Sequence, residues 1–87
     1  MLVRDLLWRM SGVMVFSLSM VDSDGFYFMD DKIDYLRQTD AETERKSFMY
    51  AYWYVEEIIP VSAIHVQLII CPTEREEFNN ENRNESV

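Results

Sequence analysis

A chain of 87 residues with a net charge of −8 suffices for one small domain, not two, and its surface repels phosphate-rich partners. At 48% hydrophobic and 14% aromatic it is too apolar to stay unfolded, and a lone cysteine, Cys71, excludes an intrachain disulfide. Direct nucleic-acid binding and adhesion to acidic membranes are therefore disfavoured, and the unpaired thiol fits a reducing, cytoplasmic setting.

The charge is unevenly spread. Residues 22–44 hold eight acidic and two basic side chains, and 73–87 hold five acidic and two basic. Such a surface attracts basic protein surfaces over roughly a Debye length, about 8–10 Å in physiological salt.

In "LVRDLLWRM", Leu2, Leu6 and Met10 share a helical face with Val3 and Leu7 beside them, which predicts a short amphipathic helix ended by Gly12. Asp5 and Trp8 spoil the charged region that a signal peptide would need. The apolar run that follows, about twelve residues broken by Ser17 and Ser19, is shorter than the ~20 residues of a membrane helix. From Val13 to Val21 the period becomes two, with Met14, Phe16, Leu18 and Met20 on one side and the serines on the other. That pattern predicts a strand.

"DSDG", residues 22–25, stands between this strand and "FYFM" and signals a hairpin turn with Gly25 at positive φ. The alternative is a weak cation site. If Gly25 is the sixth position of an EF-hand loop, Asp22, Asp24 and Asp31 fall on ligand positions, but Met20 occupies the first and the final glutamate is an aspartate. The turn is the stronger reading. "DDKIDYLRQ" then continues the second strand and fades into a loop.

"TDAE" is a capping box, with Thr39 and Glu42 each able to satisfy an orphan N–H at a helix start. The helix is expected to run to Ile59, because Pro60 disfavours helical geometry before it. Phe48, Ala51, Tyr52, Val55 and Ile59 form its stripe, while Met49, Tyr50, Trp53 and Tyr54 lie off it. These four are either core and boundary side chains with wet hydroxyls or an oligomer interface. "VSAIHVQLIIC" predicts a strand with Ile64, Val66, Leu68 and Ile70 on one face, and apolar residues on both faces near its end suggest a central position. Pro72 stops it.

The expected fold is thus α+β, in the order α-β-β-α-β. A small three-stranded sheet has one long helix on one face, a short N-terminal helix, a single compact domain at 1–72 and a flexible, Asn-rich acidic tail at 73–87. Such a sheet is hard to finish within one short chain, and homodimerisation would complete it.

Catalytic equipment is not legible. His65 and Cys71 lie six residues apart on one strand, roughly 20 Å end to end, too far for a dyad. Zinc would need three or four closely spaced ligands. Glu44 and Lys46 form an E-x-K pair, but in the first turns of a helix, where acids suit the helix dipole. No glycine-rich phosphate loop exists, so the sequence points to no cofactor, no metal and no enzyme.

What remains is a protein that acts by binding another protein. The expected function is that of an inhibitor or adaptor that offers Asp22, Asp24, Asp30, Asp31, Asp34, Asp40, Glu42 and Glu44 to a basic surface, which could be one that otherwise binds nucleic acid. Tyr27, Tyr35 and exposed aromatics of the helix would be the anchors. The alternative is a homo-oligomer kept soluble by its acids, with function in assembly or in a small-molecule pocket at the subunit interface.

Overall fold

A computed structural model describes residues 1–74. The tail expectation for 75–87 lies outside the described residues. The order of elements is α1 (Val3–Arg9), β1 (Val15–Val21), β2 (Tyr27–Asp34), α2 (Asp40–Met49), β3 (Tyr54–Ser62) and β4 (His65–Cys71). Four strands form one mixed sheet in the order β2-β1-β4-β3. The two outer junctions are antiparallel, and β1 and β4 run parallel in the centre.

The α+β class stands, and the detail is corrected. The sheet has four strands rather than three, and the expected long helix stops at Met49, with Tyr54–Ser62 forming a strand. β-branched and aromatic residues in "YVEEIIPV" favour that strand. Pro60 did not mark a helix end. It sits on the outermost strand opposite Val66, a position whose N–H would face away from the ladder, so its missing donor costs no sheet hydrogen bond.

β1 and β4 behave as their alternation predicts. Phe16, Leu18 and Met20 of β1 and Val66, Leu68 and Ile70 of β4 are buried on one face, joined by Ile33 of β2. Val3 and Leu6 of α1 and the Tyr50 ring close this core from above. β4 is central, and Ile64, just before it, is exposed.

The other face of the sheet carries Ser17, Ser19, His65 and Gln67, all half-buried. Val15 and Ile69, also half-buried, share it.

α2 is held differently from α1. Its capping box is formed, with the Glu42 N–H donating to Thr39 Oγ1 (3.2 Å) and the Thr39 N–H to Glu42 Oε2 (3.0 Å). Yet only Thr43 of the helix is buried, and Phe48 is 75% exposed. The helix rests on β2, where Lys46 Nζ donates to Asp31 Oδ1 at 2.7 Å. Tyr50, at its C-cap, donates its hydroxyl to Asp31 Oδ2 at 2.6 Å. A polar latch, more than an apolar stripe, fixes α2.

Candidate functional site

The "DSDG" stretch folds as a turn. Asp22 Oδ1 accepts the N–H groups of Asp24 and Phe26, both at 2.9 Å, and the Gly25 N–H donates to the Asp22 carbonyl at 2.9 Å. Gly25 has φ 88°, which a β-carbon would strain. Met20, the first position of the alternative cation loop, is fully buried in the core. Among the described residues no group of three or more His, Cys, Asp or Glu side chains is arranged to hold a metal ion.

The turn lifts a run of large apolar side chains into water. Phe26 is 71% exposed, Tyr27 59%, Phe28 53% and Met29 43%. The register between β1 and β2 slips here, pairing Met20 with Met29 and Val21 with Tyr27, so Phe28 is the bulged residue. Its ring turns towards Trp53, with centroids 6.4 Å apart. Asp22, Asp24 and Asp30 rim the run.

Asp30 is held from two sides on the polar sheet face. Tyr27 donates its hydroxyl to Asp30 Oδ2 at 2.7 Å, and Ser19 donates to Oδ1 at 3.2 Å. Gln67 Nε2 in turn donates to Ser19 Oγ at 2.9 Å. The hydrogen bond to Asp30, with a smaller contribution from burial and from the carboxylate's charge, raises the Tyr27 phenol above its ordinary range. Beside this row, Ser17 Oγ and His65 Nε2 are hydrogen bonded at 2.7 Å. A cleft of about 420 Å³ lies over the face, bounded by Asp30, Lys32, Ser17, Ser19, His65 and Gln67 among others.

The other acids of the segment are dispersed. Asp31 points to the opposite face and anchors α2. Burial pushes its carboxyl up, but the bonds from Lys46, Tyr50 and the Lys32 N–H (2.7 Å) outweigh that and hold it below the usual range. Burial and the Asp31 carboxylate push the Tyr50 phenol far up. Asp34 is buried and accepts the N–H groups of Leu36 (2.9 Å) and Arg37 (3.1 Å), so it shapes the loop after β2. Glu42 caps α2, and its bonds with Thr39 lower its carboxyl. Tyr35 is 45% exposed, with its ring edge-on to Phe16. Asp24, Asp40 and Glu44 are exposed, and their carboxylates have no partner among the described residues.

The structure thus gathers Asp22, Asp24, Tyr27 and Asp30 at one end of the hairpin and places Asp31, Asp34, Tyr35, Asp40, Glu42 and Glu44 elsewhere. Of the four side chains read as an interface, Tyr50 is 2% exposed and belongs to the core. Trp53 and Tyr54 are half-buried, Trp53 lying edge-on to Tyr50 at 5.4 Å, and Met49 is 48% exposed.

The side chains that sequence reasoning missed are Ser17, Ser19, His65 and Gln67. Each cross-strand bond that joins them spans 48 positions, and only the parallel pairing of β1 with β4 brings them together. The alternation of β1 did place the serines on a shared face. Nothing local indicated their partners.

Both outer edges of the sheet are partly blocked against a further strand. The bonds Val15 N–H to Ile64 O and Tyr35 N–H to Met14 O set the alternation, which turns the backbone of Asp30, Lys32 and Asp34 outwards. Of these, the Lys32 N–H is taken by Asp31 Oδ1 and the Asp34 N–H by Gln38 Oε1. On β3 the Val55 N–H donates to the Met1 carbonyl at 2.7 Å, and Pro60 has no N–H. Two register shifts bend β3 further. These are the ordinary means by which an edge is protected from strand addition.

No protein-family model, no curated protein and no solved structure matches the chain. Among the described residues no helix is long and apolar enough to cross a membrane.

Proposed function

We propose that this domain is a small protein-binding module, an inhibitor or adaptor, that docks on a basic surface of another protein through its β1–β2 hairpin. The observation that carries the reading is the exposed run Phe26-Tyr27-Phe28-Met29 rimmed by Asp22, Asp24 and Asp30. Exposed aromatics are the usual anchors of an interface, and surrounding charges steer the encounter and set its salt dependence. A surface that served solubility alone would not place three adjacent aromatic rings in water. The basic surface sought could be one that otherwise binds nucleic acid, since both would recognise a row of negative charges.

The test compares capture of host proteins by the tagged domain and by its Phe26→Ser variant, washed at low and high salt and with competing DNA. One dominant protein, released by salt and lost with Phe26→Ser, is the expected result. A partner whose capture ignores both the variant and salt would overturn the reading, and release by DNA would identify its surface as a nucleic-acid site.

A second reading, assembly of identical copies, is favoured by a separate observation: Trp8, Phe48, Met49 and Tyr52 are exposed on the helical side. Light scattering decides it, since an interface there would make Phe48→Ser shift the mass towards the monomer.

A further inference from the structure

We propose that Tyr27 and Asp30 together form an arginine-binding element, so that the partner presents an arginine side chain rather than a lysine or an extended strand. This rests on the docking reading and names the chemistry of its central contact.

Three features of the pair support it. The phenol of Tyr27 is tied to Asp30 Oδ2 at 2.7 Å, so the ring is oriented before anything binds although it is 59% exposed. The carboxylate then stands just beyond the hydroxyl end of an exposed ring. That arrangement suits a planar guanidinium, which stacks on an aromatic face while its fork of donors meets a carboxylate; an ammonium does neither as well.

Asp30 also retains acceptor capacity. Each of its oxygens takes one hydrogen bond, from Ser19 and from Tyr27. A carboxylate has about four lone-pair sites, so roughly two remain for a bidentate contact. Both donors are neutral hydroxyls, which leave the negative charge uncompensated. The chain Gln67 to Ser19 to Asp30 fixes the carboxylate from the sheet side. A pre-oriented receptor loses less entropy when it is occupied.

The approach is set by the neighbours. Lys32 lies two residues further along β2, and it lines the cleft with Asp30. A cation therefore enters from the hairpin end, past Asp22 and Asp24. An extended basic peptide gains little by backbone pairing on β2, because the outward N–H groups of Lys32 and Asp34 are already engaged. Recognition falls to side chains.

The experiment is an NMR titration of the isotopically labelled chain with two probes, an alternating arginine–glycine peptide and its lysine counterpart, at low salt. The expected result is that Tyr27 and Asp30 resonances move with the arginine peptide, that it binds roughly tenfold tighter than the lysine peptide, and that Asp30→Asn removes the difference. Asp30→Asn keeps an acceptor for Ser19, and retained spectral dispersion would show that the fold survives. Tyr27→Phe keeps the ring but frees it, and is expected to weaken the arginine peptide only about threefold. Equal affinities of the two peptides, or an arginine preference that survives Asp30→Asn, would overturn the assignment and leave the docking reading standing. Hairpin resonances that stay still with both probes would sink the two together.

Discussion

The latch at Asp31 offers the most direct test of how this fold is held. α2 buries a single residue, Thr43, and apart from the Tyr50 ring at its C-cap its position rests on Asp31, which accepts from Lys46 Nζ at 2.7 Å and from the Tyr50 hydroxyl at 2.6 Å. The Asp31 and Lys46 side chains are 23% and 15% exposed, so water replaces part of any lost bond. A hydrogen bond to a charged group contributes roughly 1.5–3 kcal/mol, and asparagine keeps one acceptor oxygen, so Asp31→Asn is expected to cost about 2 kcal/mol. A domain of this size is stable by only about 4–13 kcal/mol. At about 4–8 °C per kcal/mol, Tm falls by roughly 8–16 °C. Urea unfolding followed by tryptophan fluorescence reads the change, and a double-mutant cycle with Lys46→Met isolates the pair at about 1 kcal/mol. Native-state hydrogen exchange is expected to open α2 at a lower free energy than β4. A loss of less than about 0.5 kcal/mol in Asp31→Asn, within the range of an ordinary surface change, would refute the latch and leave α2 held chiefly by the buried Tyr50 ring at its C-cap.

The same group sets an acid limit. Asp31 is lowered in the fold, so its contribution is complete above the unfolded carboxyl value of about 4 and is lost as pH falls through the lowered one. Tyr50 is raised, so its contribution is complete below about pH 10 and declines as pH rises beyond it; Tyr50→Phe should abolish that alkaline decline in a pH series of urea midpoints. Thr39→Ala removes one half of the capping box and is expected to cost about 1 kcal/mol in the same assay. Gly25→Ala forces a β-carbon into φ 88°, at a cost of about 1–2 kcal/mol, and a neutral result would mean that the turn relaxes to another type.

The parts of the fold that were legible are those where one face is buried and the other wet. β1 and β4 alternate cleanly because each backs onto the core, and Thr39 and Glu42 announced the start of α2 because a capping box is a local interaction. Its end was not legible. "MYAYWY" contains no glycine, asparagine or proline, and the C-cap Tyr50 needs none, having φ −104° and ψ 7°. Beyond the C-cap the chain is drawn off the helical path by α1, which answers the next carbonyls: the Arg4 N–H donates to Ala51 O at 3.0 Å and the Val3 N–H to Trp53 O at 2.9 Å. No window of sequence contains both partners. β3 was hidden for a related reason. As an outer strand it has little buried on either side, so its alternation is blurred, and the spacing of Phe48, Tyr52, Val55 and Ile59 imitates a helix. The site divides the same way. The turn and its aromatics were visible locally, whereas the bracing of Asp30 by Ser19 and Gln67 depends on a pairing between the two ends of the domain.

The acids themselves separate into two kinds, and this permits a sharper experiment than neutralising the segment as a whole. Asp31, Asp34 and Glu42 are each occupied by bonds that build the fold. Asp24, Asp40 and Glu44 are exposed and have no such bonds among the described residues, so beyond a small helix-dipole contribution from Asp40 and Glu44 they supply long-range charge. Removing structural acids would weaken binding through partial unfolding and say nothing about steering. Neutralising Asp24, Asp40 and Glu44 together, as Asn, Asn and Gln, should cost at most about 1.5 kcal/mol in all, because surface changes stay within about 0.5 kcal/mol each, and the fold survives. If charge steers a basic partner, the association rate at low salt should fall several-fold, with little change in the dissociation rate, and the difference should fade as salt shortens the screening length. Faster dissociation at an unchanged association rate would make these carboxylates direct contacts rather than steering charges, and no kinetic change at all would assign them to solubility and leave recognition to the hairpin rings.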